Sequence, residues 1–556
     1  MRKTIVILLS CTVVLLLGFC AYRAYELWKQ GHWMTLAKAF AAQEDATNER
    51  LALDQALRMN PRNIEACRMM AYLEEATHKT DALKWRQDVV DLDPTSLDDR
   101  LALAQTALLF RDNDTASNAL AGVDDAGKKT PAFYNTAGEL ALANRSLPEA
   151  ESDFAEAVRL DPSNYGPQLN LSVVQLHSTN TLDMDEARIT LKRISMNATN
   201  LNLRYQADRE LAIDALRFKD ANTALSYSSQ LQQQANIPFQ DNLLQLEALK
   251  LAGSADYESA LKSNEHLAAT NSTDLYELAL WLLEHNLSRQ ALGWMQTLPA
   301  NVQTNTPGAV LIAQCQMVEQ NWSGLQSSIS KQNWGPLEYT RLAYLSRALR
   351  EQGLDESSRA QWDVALRAAN GEKANMIALL RLAGEWNWQD DVQQLLQNIF
   401  NTFPEEQWAG QQLSVILYNT GSTRSLMELY STQSNRHPED VDAENNLALT
   451  ALLLHAQEMK PYDLAKDVYQ KAPTNPSYAC TYAFALYLQG KSTQALKIMQ
   501  SIPPQALNDN STAGYYGVIL KATGNNTQAK TYLQRSFRGQ LLPEEHALFQ
   551  QAMSGI

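Results

Sequence analysis

Pro131–Asn164, PAFYNTAGELALANRSLPEAESDFAEAVRLDPSN, reads as two amphipathic helices joined by a short turn. The first places Tyr134, Ala137, Gly138 and Ala141 on one side, as the helical period of about 3.6 residues requires. The second places Ala150, Phe154 and Ala157 on one face, and Pro162 ends it. Each helix hides one stripe against its partner. The other stripe stays wet unless a neighbouring hairpin covers it, so a unit of this kind requires copies of itself. The copies are present. Pro61, Pro94 and Pro162 are separated by 33 and 68 residues, while Pro404 and Pro438, Gly490 and Gly524, and Ala495 and Ala529 are each 34 apart. In the same frame Trp33, Leu36, Ala37 and Phe40 stand where Tyr134, Ala137, Gly138 and Ala141 stand, and Ala56 and Pro61 match Ala157 and Pro162.

On these residues the chain resembles the tetratricopeptide repeat (TPR) family, whose pattern runs W-x2-L-G-x2-Y, then A-x3-F, A and P. Repeats begin near Gln30, Asn63, Leu97, Pro131 and Tyr165, the last with a small insertion before Ala187. From about Leu201 to Gln332 helical pairs persist while the signature decays: Leu278, Ala279, Leu282, Ala291, Met295 and Leu298 keep one register, and Cys315 and Gln316 fall where an aromatic is usual. Order returns at Tyr339, Lys373, Gln407 and Val441, with a few residues inserted around Met459–Pro461, and the last two units begin near Pro476 and Asn510. Pro543–Met553 reads as a closing helix over the final exposed stripe. The resemblance implies an all-α fold, a TPR-like α-solenoid superhelix of about fifteen helical hairpins. Four segments are expected: an N-terminal membrane anchor over 1–22, an N-terminal repeat array over 23–200, degenerate helical repeats over 201–337, and a C-terminal array with a capping helix over 338–556.

A chain of 556 residues would normally divide into several globular domains, but a stack of repeats grows in one dimension. Its net charge of −15, from 62 acidic and 47 basic residues, repels phosphate backbones and argues against nucleic acid as a partner. Thr4–Tyr22, TIVILLSCTVVLLLGFCAY, runs 19 residues without a charge, long enough for one transmembrane helix with slight thinning of the bilayer. A removed signal peptide is the alternative. No small-x-small cleavage site follows the run, since Ala21 is succeeded by Tyr22 and Arg23, so an uncleaved anchor is expected. Arg2 and Lys3 before it, against Arg23 and Lys29 after it, give a slight bias toward a cytoplasmic amino terminus. The expected location is a single-pass protein of a bacterial inner membrane with its repeats in the periplasm. Cys67, Cys315 and Cys480 are scattered on predicted helices, imply no disulfide framework, and read as small core residues.

Chemistry requires convergent residues, and none are spaced for it. The eight histidines lie singly, and HExxH, paired CxxC and G-x-S-x-G are absent, so no catalytic residue, metal or cofactor is expected and the chain is not read as an enzyme. Gly490-Lys491-Ser492-Thr493 mimics the end of a phosphate loop, but Ala485 stands at the first glycine position and no strand precedes it. The resemblance implies instead that the first helix of each pair lines a concave wall on which peptides or helices lie. Its groove positions fall on Asn445, Leu449 and Leu452, on Phe484 and Tyr487, and on Tyr515, Val518 and Lys521. The same side chains also suit packing between successive repeats. The family's clamp for a terminal carboxylate is not reproduced, the corresponding early positions holding Cys67, Leu101, Asn135 and Leu169. The expected function is a membrane-anchored scaffold that gathers protein partners in assembly of an envelope complex. The alternative is a non-catalytic regulatory or substrate-presenting subunit of a membrane polysaccharide synthesis, export or secretion system.

Overall fold

Two helices laid back to back need a turn that reverses the chain within a few residues, and this protein builds most of its turns the same way, the one between Tyr165–Gln175 and Thr181–Asn197 excepted. The first helix of a pair runs into one residue with left-handed backbone, and the next N–H reaches back into the last helical turn, the Schellman arrangement. Such bonds join Lys79 N to Glu74 O (2.8 Å), Ser146 N to Ala141 O (2.8 Å), Asp220 N to Ala215 O (2.8 Å), Asn321 N to Gln316 O (2.8 Å), Trp388 N to Ala383 O (2.9 Å) and Asn525 N to Leu520 O (2.9 Å). The left-handed residues at these turns include His78, Arg111, Arg145, Lys219, Gly253, Gln320, Gly353, Asn387, Gly421, His455, Gly490 and Gly524. The register thus runs unbroken through the stretch where the side-chain signature decays.

The computed structural model describes residues 25–26, 28–234 and 237–556. Among them every regular element is helical, and the chain forms two compact units, the first ending at Trp281 and the second running Leu282–Ile556. The first unit pairs 28–41 with Ala46–Met59, Ile64–Ala76 with Asp81–Leu92, Leu97–Leu109 with Asn113–Ala121, Pro131–Ala143 with Leu147–Leu160, Tyr165–Gln175 with Thr181–Asn197, Leu201–Arg217 with Ala221–Leu231, and Phe239–Leu251 with Tyr257–Ala268. The second pairs Gly308–Val318 with Trp322–Ile329, Glu338–Glu351 with Asp355–Ala368, Lys373–Glu385 with Gln389–Thr402, Gln407–Asn419 with Thr423–Arg436, Val441–Leu453 with Pro461–Lys471, Pro476–Leu488 with Ser492–Ser501, and Asn510–Ala522 with Asn526–Ser536. Pro543–Ser554 closes it. The division between the units falls inside the helix Ser272–Glu284. The architecture is therefore an all-α stack of TPR-like hairpins.

The expected membrane location needs correction. Among the described residues no helix is long and apolar enough to cross a membrane. A span takes about 20 predominantly apolar residues. The helices here are mostly 8 to 14 residues, reaching 17 at Thr181–Asn197 and Leu201–Arg217, and those two bury only part of their surface in the stack. The apolar run Thr4–Tyr22, read as an anchor, lies outside the described residues.

Packing inside a hairpin depends on close approach. At Gly138 a Cβ would stand 2.6–2.9 Å from the ring of Phe154, a side chain with no exposed surface. Between hairpins the apolar contacts are joined by a polar seam whose partners lie one repeat apart. Arg68 donates twice to Asp99 (2.8 and 2.5 Å), Asn170 Nδ2 donates to Asn135 Oδ1 (3.0 Å), Arg209 Nε to Asp241 (2.9 Å), Lys373 Nζ to Glu406 (2.7 Å) and Tyr478 OH to Asp442 (2.6 Å).

Two glycine substitutions of the same kind are expected to act in opposite directions. Gly138→Ala overpacks the Phe154 contact and is expected to lose about 1–3 kcal/mol. Gly293→Ala, inside the helix Ser288–Met295 with nothing within 4 Å of the added carbon, removes only a flexible helical glycine and is expected to gain about 0.5–1 kcal/mol. Urea unfolding followed by circular dichroism measures both.

Candidate binding site on the first-helix wall

The eight candidate groove residues lie on three successive first helices of the second unit, Val441–Leu453, Pro476–Leu488 and Asn510–Ala522. Their surroundings differ. Asn445, Leu452, Phe484, Tyr515 and Val518 are buried, whereas Leu449, Tyr487 and Lys521 keep part of their surface in solvent. The aromatics form a ladder: Phe484 and Tyr515 have ring centroids 4.6 Å apart, and Tyr515 meets Phe549 of the closing helix edge-on at 5.2 Å. Asn445 Oδ1 is buried and accepts no hydrogen bond from the described residues.

The closing helix carries an acid in an unusual place. Glu545 is 1% exposed, and its carboxylate accepts from Ser511 Oγ (2.5 Å), Tyr515 OH (2.8 Å) and the Leu542 N–H (3.0 Å). Burial and this carboxylate hold the Tyr515 phenol well above its ordinary range. Tyr418, on Gln407–Asn419, is pushed up to about 12 by burial and then by the Glu545 and Asp509 carboxylates. Burial and the same two carboxylates raise the Cys480 thiol.

Tyr418 belongs to a contact that the repeat pattern does not announce. Its hydroxyl donates to Gln540 O at 3.0 Å, Gln540 Nε2 donates to Asn419 O at 3.4 Å, and Thr423 Oγ1 donates to Glu544, all about 121 residues apart in sequence. Gly421, with φ of +68°, lies so close that a Cβ there would come within 3.0 Å of Pro543 Cγ. The segment leading into the closing helix therefore seats on the turn of a hairpin from which three further hairpins separate it.

What stays open is a hollow of about 240 Å³ between the helices of Tyr487, Val518 and Leu548. Three of the candidate residues, Tyr487, Val518 and Lys521, line it with Ala522, Leu548, Gln551 and Ala552. Its lining is mixed, with Val518, Ala522, Leu548 and Ala552 beside Tyr487, Lys521 and Gln551. Its rim carries Lys521, whose Nζ lies 3.5 Å from Gln551 O in the last turn of the closing helix, where carbonyls and the helix dipole favour a cation.

The sequence did not single out two further hollows. One of about 430 Å³ in the first unit is lined by Gln105, Thr130–Ala132, Asn135, Asp161, Asn164, Gly166 and Pro167. Its lining comes from two first helices, through Gln105 and Asn135, and from the turns that lead into the helices at Pro131 and Tyr165, which no single repeat position marks. The other, about 110 Å³, sits among Ser346, Arg350, Ser358, Arg359, Trp362, Trp388 and Asp391. There Ser346 and Ser358 each donate to the other's carbonyl at 2.8 Å, the Arg350 guanidinium lies 4.5 Å from the Trp388 ring centre, and burial raises Asp391. No group of three or more His, Cys, Asp or Glu among the described residues is placed to hold a metal. The thiols of Cys67 and Cys315 are buried and raised, Cys315 to about 12, the opposite of an activated nucleophile.

No protein-family model matches the chain, and no curated protein matches it. Among solved structures it is similar to PilF of Pseudomonas aeruginosa, with a TM-score of 0.30 and 13% identity over 37% of this chain and 92% of that one. It is similar to MamA, with a TM-score of 0.28 and 14% identity over 31% and 97%. A third is the Cut9–Hcn1 hetero-tetramer of the APC/C, with a TM-score of 0.28 and 13% identity over 91% and 96%.

The raised tyrosines give the stability a defined alkaline limb. A phenol raised in the folded state loses its proton first in the unfolded chain, so its contribution is complete below the unfolded pKa and is lost as pH climbs through the folded value. For Tyr418 the window runs from 10 to about 12. Tyr418→Phe also gives up the bond to Gln540 O, so below pH 10 it is expected to be about 1 kcal/mol less stable than the parent. The parent alone loses stability through that window, so the two curves, read as urea midpoints against pH, are expected to cross within it, with Tyr418→Phe the more stable at its upper end.

Proposed function

We propose that the chain is a non-catalytic scaffold that holds a protein partner against its first-helix wall, with the hollow at Tyr487, Val518 and Lys521 as an anchoring point. The observation that supports this most directly is the convergence of those three residues, expected from their repeat positions, on one open cavity walled by three helices. At about 240 Å³ it is smaller than the usual site for a cofactor or drug-sized ligand. It suits one or two side chains. A mixed lining with a lysine among it favours a side chain that is partly apolar, followed by an acidic group, carried on an extended segment or the end of a helix. The narrower expectation, assembly of an envelope complex, leaned on the membrane location and is not carried forward.

Site-specific photocrosslinking tests the reading. A photoreactive residue at Tyr487 or Leu548 is expected to capture a protein partner in cells, while one at Gln494 or Lys497, on the exposed side of the second helix, is not. Lys521→Ala is expected to weaken that partner's affinity about three- to tenfold, as loss of one partly exposed charge contact does. Capture from Gln494 and Lys497 but not from Tyr487 would overturn the assignment.

A further inference from the structure

The helix Thr181–Asn197 is 17 residues long, where most of its counterparts have 9 to 14, and it is apolar on two opposite sides. One side, with Met184, Ala187, Leu191 and Ile194, is buried in the stack. The other presents Leu182, Ile189 and Met196, which are 75%, 68% and 65% exposed. These three stand seven residues apart, the spacing of a helix–helix seam rather than of scattered surface residues. The exposed positions between them are charged and sorted by sign: Asp185 and Glu186 lie toward the amino-terminal end, and Lys192 and Arg193 toward the carboxy-terminal end.

That order is self-complementary under a two-fold axis. If a second copy of this helix lies antiparallel with the axis passing at Ile189, Leu182 meets Met196, Asp185 meets Lys192 on one side of the seam, Glu186 meets Arg193 on the other, and Ile189 meets itself. A parallel pairing would instead set acid on acid and base on base. The chain carries a net charge of −15, yet this face is balanced, two acids against two bases. A partner of a single sign gains from one half of the face and is repelled by the other. We infer that the Thr181–Asn197 helix is a homodimerisation face, and that its occupant is the same helix of a second copy of this chain, antiparallel and isologous. This inference is independent of the peptide hollow in the second unit.

Existing contacts leave the face available. Arg188 bridges Asp185 at 2.9 Å but is held chiefly by Asp214 at 2.7 Å, and the Asp185 side chain remains 65% exposed. Arg193 gives one N–H to Gln168 Oε1 at 2.7 Å and keeps its other donors for the partner. Exposed ion pairs add little free energy, so the apolar seam supplies the affinity and the charges choose the orientation. The footprint, roughly 25 Å by 10 Å for a helix of this length, is far below the roughly 800 Å² per partner of a standard stable interface. Association is therefore weak and concentration-dependent.

Sedimentation of the purified full chain across a hundredfold concentration range tests the proposal. The weight-average mass is expected to rise from one chain toward two, and Ile189→Asp is expected to hold it at one. The decisive arm uses two charge reversals. Chains with D185K and E186K carry only bases on the seam, and chains with K192E and R193E carry only acids. Each alone is expected to associate at least tenfold more weakly than the parent, while an equimolar mixture is expected to recover the parent's association as a heterodimer, since every antiparallel pair is then opposite in sign. The mixture also controls for folding, because a misfolded variant does not rescue its counterpart. A parent chain that stays at one chain's mass, association unchanged by either reversal, or a mixture no tighter than its components would each overturn the proposal.

Discussion

A left-handed residue backed by a reaching N–H, repeated at nearly every hairpin turn and missing between Tyr165–Gln175 and Thr181–Asn197, is the constraint on which the stack depends. The buried faces of neighbouring repeats stay in phase most simply when the first helix ends the same number of residues after it begins, as the 13-residue helices Ile64–Ala76, Leu97–Leu109 and Pro131–Ala143 do. A one-residue slip would rotate everything downstream by about 100° on a helix with 3.6 residues per turn. Glycine makes this turn without steric penalty at Gly253, Gly353, Gly421, Gly490 and Gly524, but Arg145, Lys219, Gln320 and Asn387 adopt it too. Each of the latter accepts roughly 1–2 kcal/mol of backbone strain. The helix packed on either side and the bond back into the preceding turn offset it. The middle of the chain can therefore lose its glycines and aromatics without losing its architecture.

Between repeats the apolar core sets the distance and the polar seam sets the register. Its members change from step to step: Arg68 with Asp99, Asn135 with Asn170, Lys373 with Glu406, Tyr478 with Asp442. Each partner is one repeat away from its mate, so a pair can form only when the hairpins are stacked in the right frame. Removing one member would leave the other partly buried and unpaired, a larger penalty than the pair's own net contribution. The variety has a second consequence. Each step of the first-helix wall presents different chemistry, amides around Asn135 and aromatics around Phe484, so no two hollows along it would accept the same ligand.

Much of this was legible in the sequence. Prolines and glycines 34 residues apart located the hairpins, and helices begin at or within one residue of Leu97, Pro131, Tyr165, Lys373, Gln407, Val441, Pro476 and Asn510. Reading Pro543–Met553 as a closing helix rested on the need to cover a final wet stripe, and Phe549 there has no exposed surface. Illegible features have one cause: they depend on geometry that accumulates over several repeats. An acidic residue in the first turn of a helix reads as exposed, and only the stack shows Glu545 enclosed by Ser511, Tyr515 and the Leu542 N–H. The contact of Tyr418 with Gln540 is set by the summed rotation of the hairpins between them, which no local periodicity encodes. For the same reason repeat position alone could not sort Phe484 and Tyr515, absorbed into packing, from Tyr487 and Lys521, which are not.

The closing helix is where fold and site become one problem. A stack must cover its last apolar stripe, and the Pro543–Ser554 helix does so by setting Phe549 against Tyr515 and beneath Gly514, whose missing Cβ admits the ring. The segment entering that helix is drawn back onto the turn at Tyr418–Thr423, so the wall upstream, around Leu452, Phe484 and Tyr515, is occupied by the protein's own side chains. A long peptide therefore has no continuous groove to follow through these repeats. The hollow beside Tyr487 survives because the closing helix forms its third side, contributing Leu548, Gln551 and Ala552. The cap that ends the stack thus also converts an open wall into a socket, and the partner proposed above would enter it by inserting a short anchor between three helices.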